Sequence, residues 1–152
     1  MIQRKQTLYL LLALIVTVVC LCLPVAKLVP QGMGVDMPVY NLWVIDGNGG
    51  HLFTVWVLFA ILLVTCPIAL AAIFLYKNRK VQMKLCVINI LFMVCWYSVY
   101  AFHAINMGET LHASFQIEFA AGLPFFALIL YVMALKGIRA DEALIKSMDR
   151  IR

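Results

Sequence analysis

The chain has 152 residues and a mass of 17.1 kDa, and 65% of its residues are hydrophobic while only 12% are charged. A soluble domain is about half apolar and a quarter charged, and a chain this short has too small a core to bury the excess. The composition therefore excludes an ordinary soluble enzyme and a disordered protein, and it predicts a membrane protein with several spans.

Four apolar stretches are long enough to cross a bilayer, which takes about 20 residues. They run from about 7 to 23, 52 to 76, 85 to 105 and 115 to 135. Their apolar runs are continuous and do not alternate with a period of two, which excludes a barrel of strands. We predict an all-α membrane protein with one domain over residues 1–152, a four transmembrane helix bundle.

The long outer loop, residues 24–51, separates the first two spans and contains a possible short β element. Residues 39–45 are rich in β-branched and aromatic side chains and lie between Pro38 and an Asp-Gly-Asn-Gly-Gly turn, which is typical of a strand. A lone strand is unstable, so it would pair with residues 25–29 or lie on the helix ends. Alternatively, the loop is irregular and Tyr40 and Trp43 rest at the membrane interface.

The positive charges predict the orientation of the spans. Eleven of the twelve Lys and Arg residues lie on one side, in the N-terminus, the second loop and the tail, and only Lys27 lies on the other. Because cytoplasmic segments carry the excess of cations, we predict that both termini are cytoplasmic. The same distribution favours an anionic lipid partner at the cytoplasmic face, and it predicts no nucleic-acid partner, because the net charge of +5 reflects the orientation of the spans. The candidate partner or lipid contacts are Arg79, Lys80, Lys146, Arg150 and Trp43.

Two ionisable side chains are predicted near the outer ends of the third and fourth spans. Glu118 lies eighteen residues before Lys136, which places it about 27 Å from the inner boundary by helical rise. His103 reaches about the same level by the same rise, counted from Lys84. The candidate polar site comprises His103, Glu118, Glu109 and His112. It is interpreted either as a site for a metal ion, a ligand or protons, or as a structural pairing of His103 with Glu118.

The tail, residues 136–152, has apolar side chains at helical spacing, with acids near the start of the pattern and cations near its end. This order suits the helix dipole and predicts an amphipathic tail helix. Because a short helix is marginal in water, we expect it to dock on the membrane surface, on the bundle or on a partner, unless it is a solvated basic tail.

The sequence contains no pattern that predicts catalysis. The five cysteines all fall within the predicted spans, with no Cys-x-x-Cys pair, and they are interpreted as small buried hydrophobes. No phosphate-binding loop, nucleophile elbow or catalytic triad pattern is present. We therefore predict no catalytic residue, no bound metal, no cofactor and no enzymatic activity.

Three segments resemble a known family: the opening MIQRKQTLYLLLALI, the exit of the second span IFLYKNRKVQMKLC and the closing ADEALIKSMDRIR. Together they are similar to small bacterial inner-membrane proteins, typical of the Bacteroidota, that are known only as a domain of unknown function. The resemblance covers essentially the whole chain and implies four spans and an inner-membrane location. The plan of four helices with a large first outer loop containing Leu42-Trp43 is also similar to claudin-type proteins, although the paired loop cysteines are absent.

Three classes of function compete. The small size and the apolar spans favour a non-enzymatic accessory or scaffold subunit that acts through helix packing, its outer loop and its basic tail. A small oligomeric transporter or channel is the second class, although no inverted repeat is evident. The third is a membrane enzyme or ligand site that uses His103 and Glu118.

Overall fold

The computed structural model describes residues 3–30, 34–76, 78–110 and 113–149, with the side chains at 3, 4, 109, 110, 146, 148 and 149 outside the description. Four α-helices dominate these ranges: α1 Gln3–Cys22, α2 Trp56–Phe74, α3 Arg79–Thr110 and α4 Leu123–Asp149. Each helix contributes to a segment long and apolar enough to cross a membrane. The prediction of four such helices is confirmed.

The helices form an antiparallel bundle. Helix α1 packs against α2 and α4, and α3 packs against the same two helices, so the four close into a ring. Large apolar side chains such as Leu8, Leu63 and Leu91 point away from the ring and are about half exposed. Such an apolar exterior suits helices that are surrounded by lipid.

A five-stranded antiparallel sheet, which we call the cap, covers one end of the bundle, and we call that end the sheet end. Its strands are β1 Ala26–Pro30, β2 Met37–Val39, β3 Val44–Ile45, β4 His51–Leu52 and β5 Ala113–Ile117, in the spatial order β4-β3-β2-β1-β5. Strands β1 to β4 come from the segment between α1 and α2, while β5 comes from the connection between α3 and α4. The sheet therefore joins the two connections that meet at this end.

The possible β element of the outer loop is present, but it differs from the single strand predicted over residues 39–45. The predicted pairing with residues 25–29 is confirmed, since Ala26 faces Val39 in the β1–β2 ladder. The chain then turns, and the Tyr40 N–H donates to the Trp43 carbonyl at 2.8 Å before β3 begins at Val44. Asn41 lies within this turn, and its side chain is buried in the bundle.

The fourth span was predicted to begin at about residue 115, and this boundary is wrong. Residues 113–117 form β5, a 3-10 turn follows at Phe119–Gly122, and α4 begins only at Leu123. Phe115 and Ile117 favour a strand, and Pro124 suits the first turn of a helix, where its missing N–H is not needed. Hydrophobicity alone does not distinguish a short apolar strand from the start of a helix.

The predicted tail helix is the last part of α4, which runs without a break for 27 residues to Asp149. It docks on α1. The Gln6 Nε2 group donates to Asp141 Oδ2 at 2.5 Å, and both side chains are buried. Gly137 permits this approach, because a Cβ at that position would lie 3.0 Å from Gln6 Cγ.

Candidate functional site

Asn41 connects the sheet to the bundle. Its side chain is fully buried, and its Nδ2 donates to the Cys20 carbonyl at the end of α1 at 2.7 Å. Its Oδ1 accepts from Trp96 Nε1 on α3 at 3.1 Å, and its backbone carbonyl accepts from the Phe59 N–H on α2 at 3.2 Å. One residue of the segment between α1 and α2 thus bonds to three helices.

Aromatic side chains of α3 add two further ties at the sheet end. Tyr100 Oη donates to the Val25 carbonyl at 3.0 Å, and Tyr97 Oη donates to the Ala121 carbonyl at 2.8 Å. The Trp96 and Tyr100 rings stack, with centroids 5.0 Å apart. Buried hydrogen bonds and aromatic packing thus act together to hold the sheet against the bundle.

A cavity of about 430 Å³ lies between strands β2–β4 and the last turns of α3. We call it the sheet-end cavity. Its lining is mostly apolar, with a few polar side chains, and includes Met37, Asp46, Thr54, His103, Asn106 and Met107. A largely apolar pocket of this size with a few polar groups is typical of a small-molecule site.

The hairpin turn between β3 and β4 positions Asp46 at this cavity. The Gly47 N–H donates to Asp46 Oδ1 at 2.8 Å, and the Gly49 N–H donates to the Asp46 carbonyl at 2.8 Å. Gly49 has a φ of +79°, in the left-handed region that a residue with a Cβ adopts at a cost. The turn therefore depends on glycine at position 49.

The structure separates His103 from Glu118. His103 lines the sheet-end cavity, whereas Glu118 is exposed at the end of β5, and its N–H donates to the Val25 carbonyl at 3.2 Å. No hydrogen bond or ion pair joins these two described side chains, so the structural pairing, one of the two interpretations of the polar site, is not formed. The Glu109 side chain and His112 lie outside the described residues. Among the side chains that are described, no three of His, Cys, Asp and Glu group as a metal site would require.

Trp43, predicted to contact a partner or lipid, lies in the turn between β2 and β3. Its ring packs against Tyr40, His51 and Phe53, with centroid distances of 6.1, 5.2 and 6.3 Å. Its Nε1 is buried and has no hydrogen-bond partner within the part of the chain that the structure describes. Trp43 thus packs within the cap. Phe53 beside it is more than half exposed.

The predicted basic contacts lie at the opposite end of the molecule. Arg79 is the first residue of α3, and its Nη1 is buried. Lys80 follows on the same helix and is exposed. Lys146 belongs to α4, but its side chain lies outside the description, as does all of Arg150.

The sequence profile of a family described as "Domain of unknown function (DUF4293)" matches residues 2–151. The chain belongs to the DUF4293 family. The resemblance drawn from the two basic segments and the opening residues is thereby confirmed at the level of the family. A search of curated proteins finds no match to this DUF4293 chain.

Sequence reasoning missed the residue that organises the sheet end of the DUF4293 chain. The sequence pattern predicts Asn41 within a strand and Trp96 within an apolar span. The sequence offers one signal for Asn41, which is a single amide side chain inside an apolar, β-branched run. A buried amide needs hydrogen-bond partners, so such a residue marks a place where the chain forms them. Its partners come from positions 20 and 96, and sequence spacing gives no means of finding them.

Proposed function

We propose that this DUF4293 protein is a multi-pass protein of the bacterial inner membrane with both termini in the cytoplasm. The charge distribution supports this orientation. One end of the bundle, which we call the basic end, carries the described cations Lys5, Arg79, Lys80, Lys84, Lys136 and Arg139. At the sheet end, Lys27 Nζ lies 2.6 Å from Asp36 Oδ2, and this hydrogen-bonded carboxylate raises the pKa of Lys27 above its usual value. The excess of cations thus lies at the basic end, and because cytoplasmic segments carry the excess of Lys and Arg, we place this end in the cytoplasm.

Within that membrane, we propose a non-enzymatic accessory or scaffold role. The observation that carries it is the cap, which the hydrogen bonds of Asn41 attach to the bundle. Strand β5 is one edge of the sheet, and Ile117 on it is 73% exposed, with Phe119 just beyond it 79% exposed. An edge strand with apolar side chains beside it is a ready surface for a membrane partner.

The bundle interior favours this role over a pore within one chain. Trp96 and Tyr131, two of its largest side chains, are fully buried, together with Leu10, Leu58 and Leu62. Large side chains packed in this way fill space between the helices, which favours a scaffold over a pore within one chain. A transporter made of several chains stays a prediction of the sequence.

A photo-crosslinking amino acid tests the scaffold role. We would place it at Ile117 and, as a matched control, at exposed Asn48 on the tip of the β3–β4 hairpin, in the full chain expressed in cells. We expect one defined protein adduct from position 117 and none of the same mass from position 48. Co-purification of that protein in mild detergent should fall at least tenfold with Ile117→Asp. The proposal fails if position 117 gives no adduct and the chain purifies alone.

A second candidate function is the binding of a small ligand in the sheet-end cavity, whose lining includes the imidazole of His103 and the carboxylate of Asp46. Added ligands or metal salts should raise the melting temperature of the purified protein, and His103→Ala should remove that effect. His51→Ala is the control, because His51 is exposed on β4 and does not line the cavity. Equal responses of both variants would contradict a specific site.

A further inference from the structure

A groove runs along the seam of α3 and α4 at the basic end of the molecule. Its volume is about 730 Å³, which lies within the range of roughly 300–1,000 Å³ found for small-molecule sites. It combines three cations and one acid with an apolar floor, and its lining includes Lys80, Lys84, Arg139, Glu142, Ile88 and Leu135. We call it the seam groove.

The helical register places the charged and apolar parts of the seam groove at different depths. On α3, Lys80, Lys84 and Ile88 follow one another at intervals of four residues, so they lie in one row along the helix. By helical rise, Ile88 lies about 6 Å deeper in the bundle than Lys84 and about 12 Å deeper than Lys80. Leu135 and Arg139 are also four residues apart on α4. Because α4 is antiparallel to α3, Arg139 lies nearer the basic end and Leu135 lies deeper, so the change from charged to apolar has the same direction on both helices.

The cations of the seam groove outnumber its acid. Lys80, Lys84 and Arg139 face one carboxylate, Glu142, which leaves a formal charge of +2 in the lining. Among the described residues, neither Lys84 nor Arg139 forms an ion pair, in contrast to Lys27 with Asp36 at the other end. Ile88 is 38% exposed and neighbouring Val87 is 39% exposed. The groove thus offers positive charge above an open apolar surface.

We propose that the seam groove binds an anionic phospholipid. Its phosphate would lie against Lys84 and Arg139, where a charge-assisted hydrogen bond to a guanidinium is strong. One acyl chain would follow Ile88 and Leu135 along the seam. Basic pockets between membrane helices on the cytoplasmic side are known to suit acidic headgroups. This inference rests on the proposed function only for the leaflet, which follows from the proposed orientation, and it deepens that function by naming a lipid partner.

Two features favour a lipid over a helix of a partner protein. The groove changes from charged to apolar over about 12 Å, as a phospholipid does between its headgroup and its chains. A transmembrane helix placed on the same seam would bring apolar side chains against Lys80 and Lys84, and burying those charges without partners is costly.

Native mass spectrometry of the purified full chain in mild detergent provides the test. The probes are phosphatidylglycerol and phosphatidylcholine with identical acyl chains, and inorganic phosphate as a competitor. We expect phosphatidylglycerol to bind at least tenfold more tightly than phosphatidylcholine. We also expect inorganic phosphate, added at the same concentration of negative charge as phosphatidylglycerol, to leave the bound lipid in place, because it lacks the acyl chain.

Two double variants locate the site. Lys84→Gln with Arg139→Gln removes two charges from the seam groove and should lower the affinity for phosphatidylglycerol at least tenfold. Lys5→Gln with Lys136→Gln removes two exposed charges of the basic end that do not line the groove, and it should change the affinity less than twofold. A third variant, Ile88→Trp, keeps every charge and fills the apolar part, so it should also weaken binding of phosphatidylglycerol.

The proposal is overturned if both double variants lose affinity equally, since the attraction would then be a diffuse property of the basic end. It is also overturned if the two lipids bind equally, or if inorganic phosphate displaces the lipid. Occupation of the groove by a co-purifying protein that excludes lipid would overturn it as well. The measurement uses purified protein, so a failed partner search or a reversed orientation would sink the proposed function and leave this result standing.

Discussion

The indole Nε1 of Trp96 on α3 donates a hydrogen bond at 3.1 Å to Oδ1 of Asn41, a residue of the connection between α1 and α2. The same amide donates to the Cys20 carbonyl at 2.7 Å. The cap is therefore attached to the bundle by a side chain that reaches inward, and the carbonyl at the end of α1 gains a donor that the helix itself does not supply.

Asn41→Ala should destabilise the protein more than any other change in the cap. It leaves the buried Trp96 Nε1 and the Cys20 carbonyl without a partner, and each such group costs about 1–3 kcal/mol. Thermal unfolding of the purified protein in detergent measures the loss. Asn48→Ala is the matched control, because Asn48 is exposed in the hairpin turn, and it should leave the melting temperature almost unchanged.

A double-mutant cycle isolates the Asn41–Trp96 bond. Trp96→Phe removes the donor and keeps most of the ring, so the two substitutions together should cost less than the sum of their separate effects. The coupling free energy is expected to be about 1 kcal/mol. Strict additivity would mean that the bond does not contribute to the attachment of the cap.

Gln6→Leu should loosen the contact between α1 and the last part of α4. It deprives the buried Asp141 carboxyl group of the amide donor at 2.5 Å, and leaving such a group unsatisfied costs about 1–3 kcal/mol or more. Protease digestion of the tail in detergent measures the effect, and cleavage should become faster. Gln116→Leu, at an exposed position on β5, should not change the rate of cleavage.

Gly137→Leu tests the close approach of the same two helices. Even a Cβ at position 137 would lie 3.0 Å from Gln6 Cγ, so a larger side chain forces α1 and α4 apart at a cost of about 1–3 kcal/mol. Gly122→Leu is the control, because a Cβ at position 122 would meet open space. Equal melting temperatures for the two variants would contradict the tight contact.

Gly49→Ala should strain the hairpin that presents Asp46 to the sheet-end cavity. The left-handed conformation costs a residue with a Cβ about 1–2 kcal/mol, and Gly49 has a φ of +79°. The neighbouring Gly50→Ala meets open space without that constraint. A lower melting temperature is therefore expected for the first variant and little change for the second.

Cysteine labelling tests the orientation. A cysteine at exposed Asn48 should react with a membrane-impermeant maleimide in spheroplasts. The labelling should exceed that of the wild-type chain, which carries only its own cysteines. A cysteine at exposed Ser147 should react only after the membrane is opened. Labelling in the reverse order would place the sheet end in the cytoplasm and overturn the proposed orientation.

The structure does not bring His103 and Glu118 together, for a geometric reason. His103 and Glu118 were expected at one level because both spans were counted as continuous helices. Residues 113–117 instead form β5, which moves Glu118 out of the fourth helix and onto the edge of the sheet. Neither periodicity nor charge could reveal this, since the strand exists only through its pairing with β1, more than eighty residues earlier in the chain.

The hydrophobic runs and the placement of Lys and Arg determined the four helices and the contrast between a basic and a non-basic end, because both are properties of local composition. Asn41 in the bundle, Gln6 on Asp141 and the seam groove between α3 and α4 were decided only by the tertiary structure. Each joins residues that are distant in the chain, and a buried polar side chain acquires its role from the partners that packing brings to it.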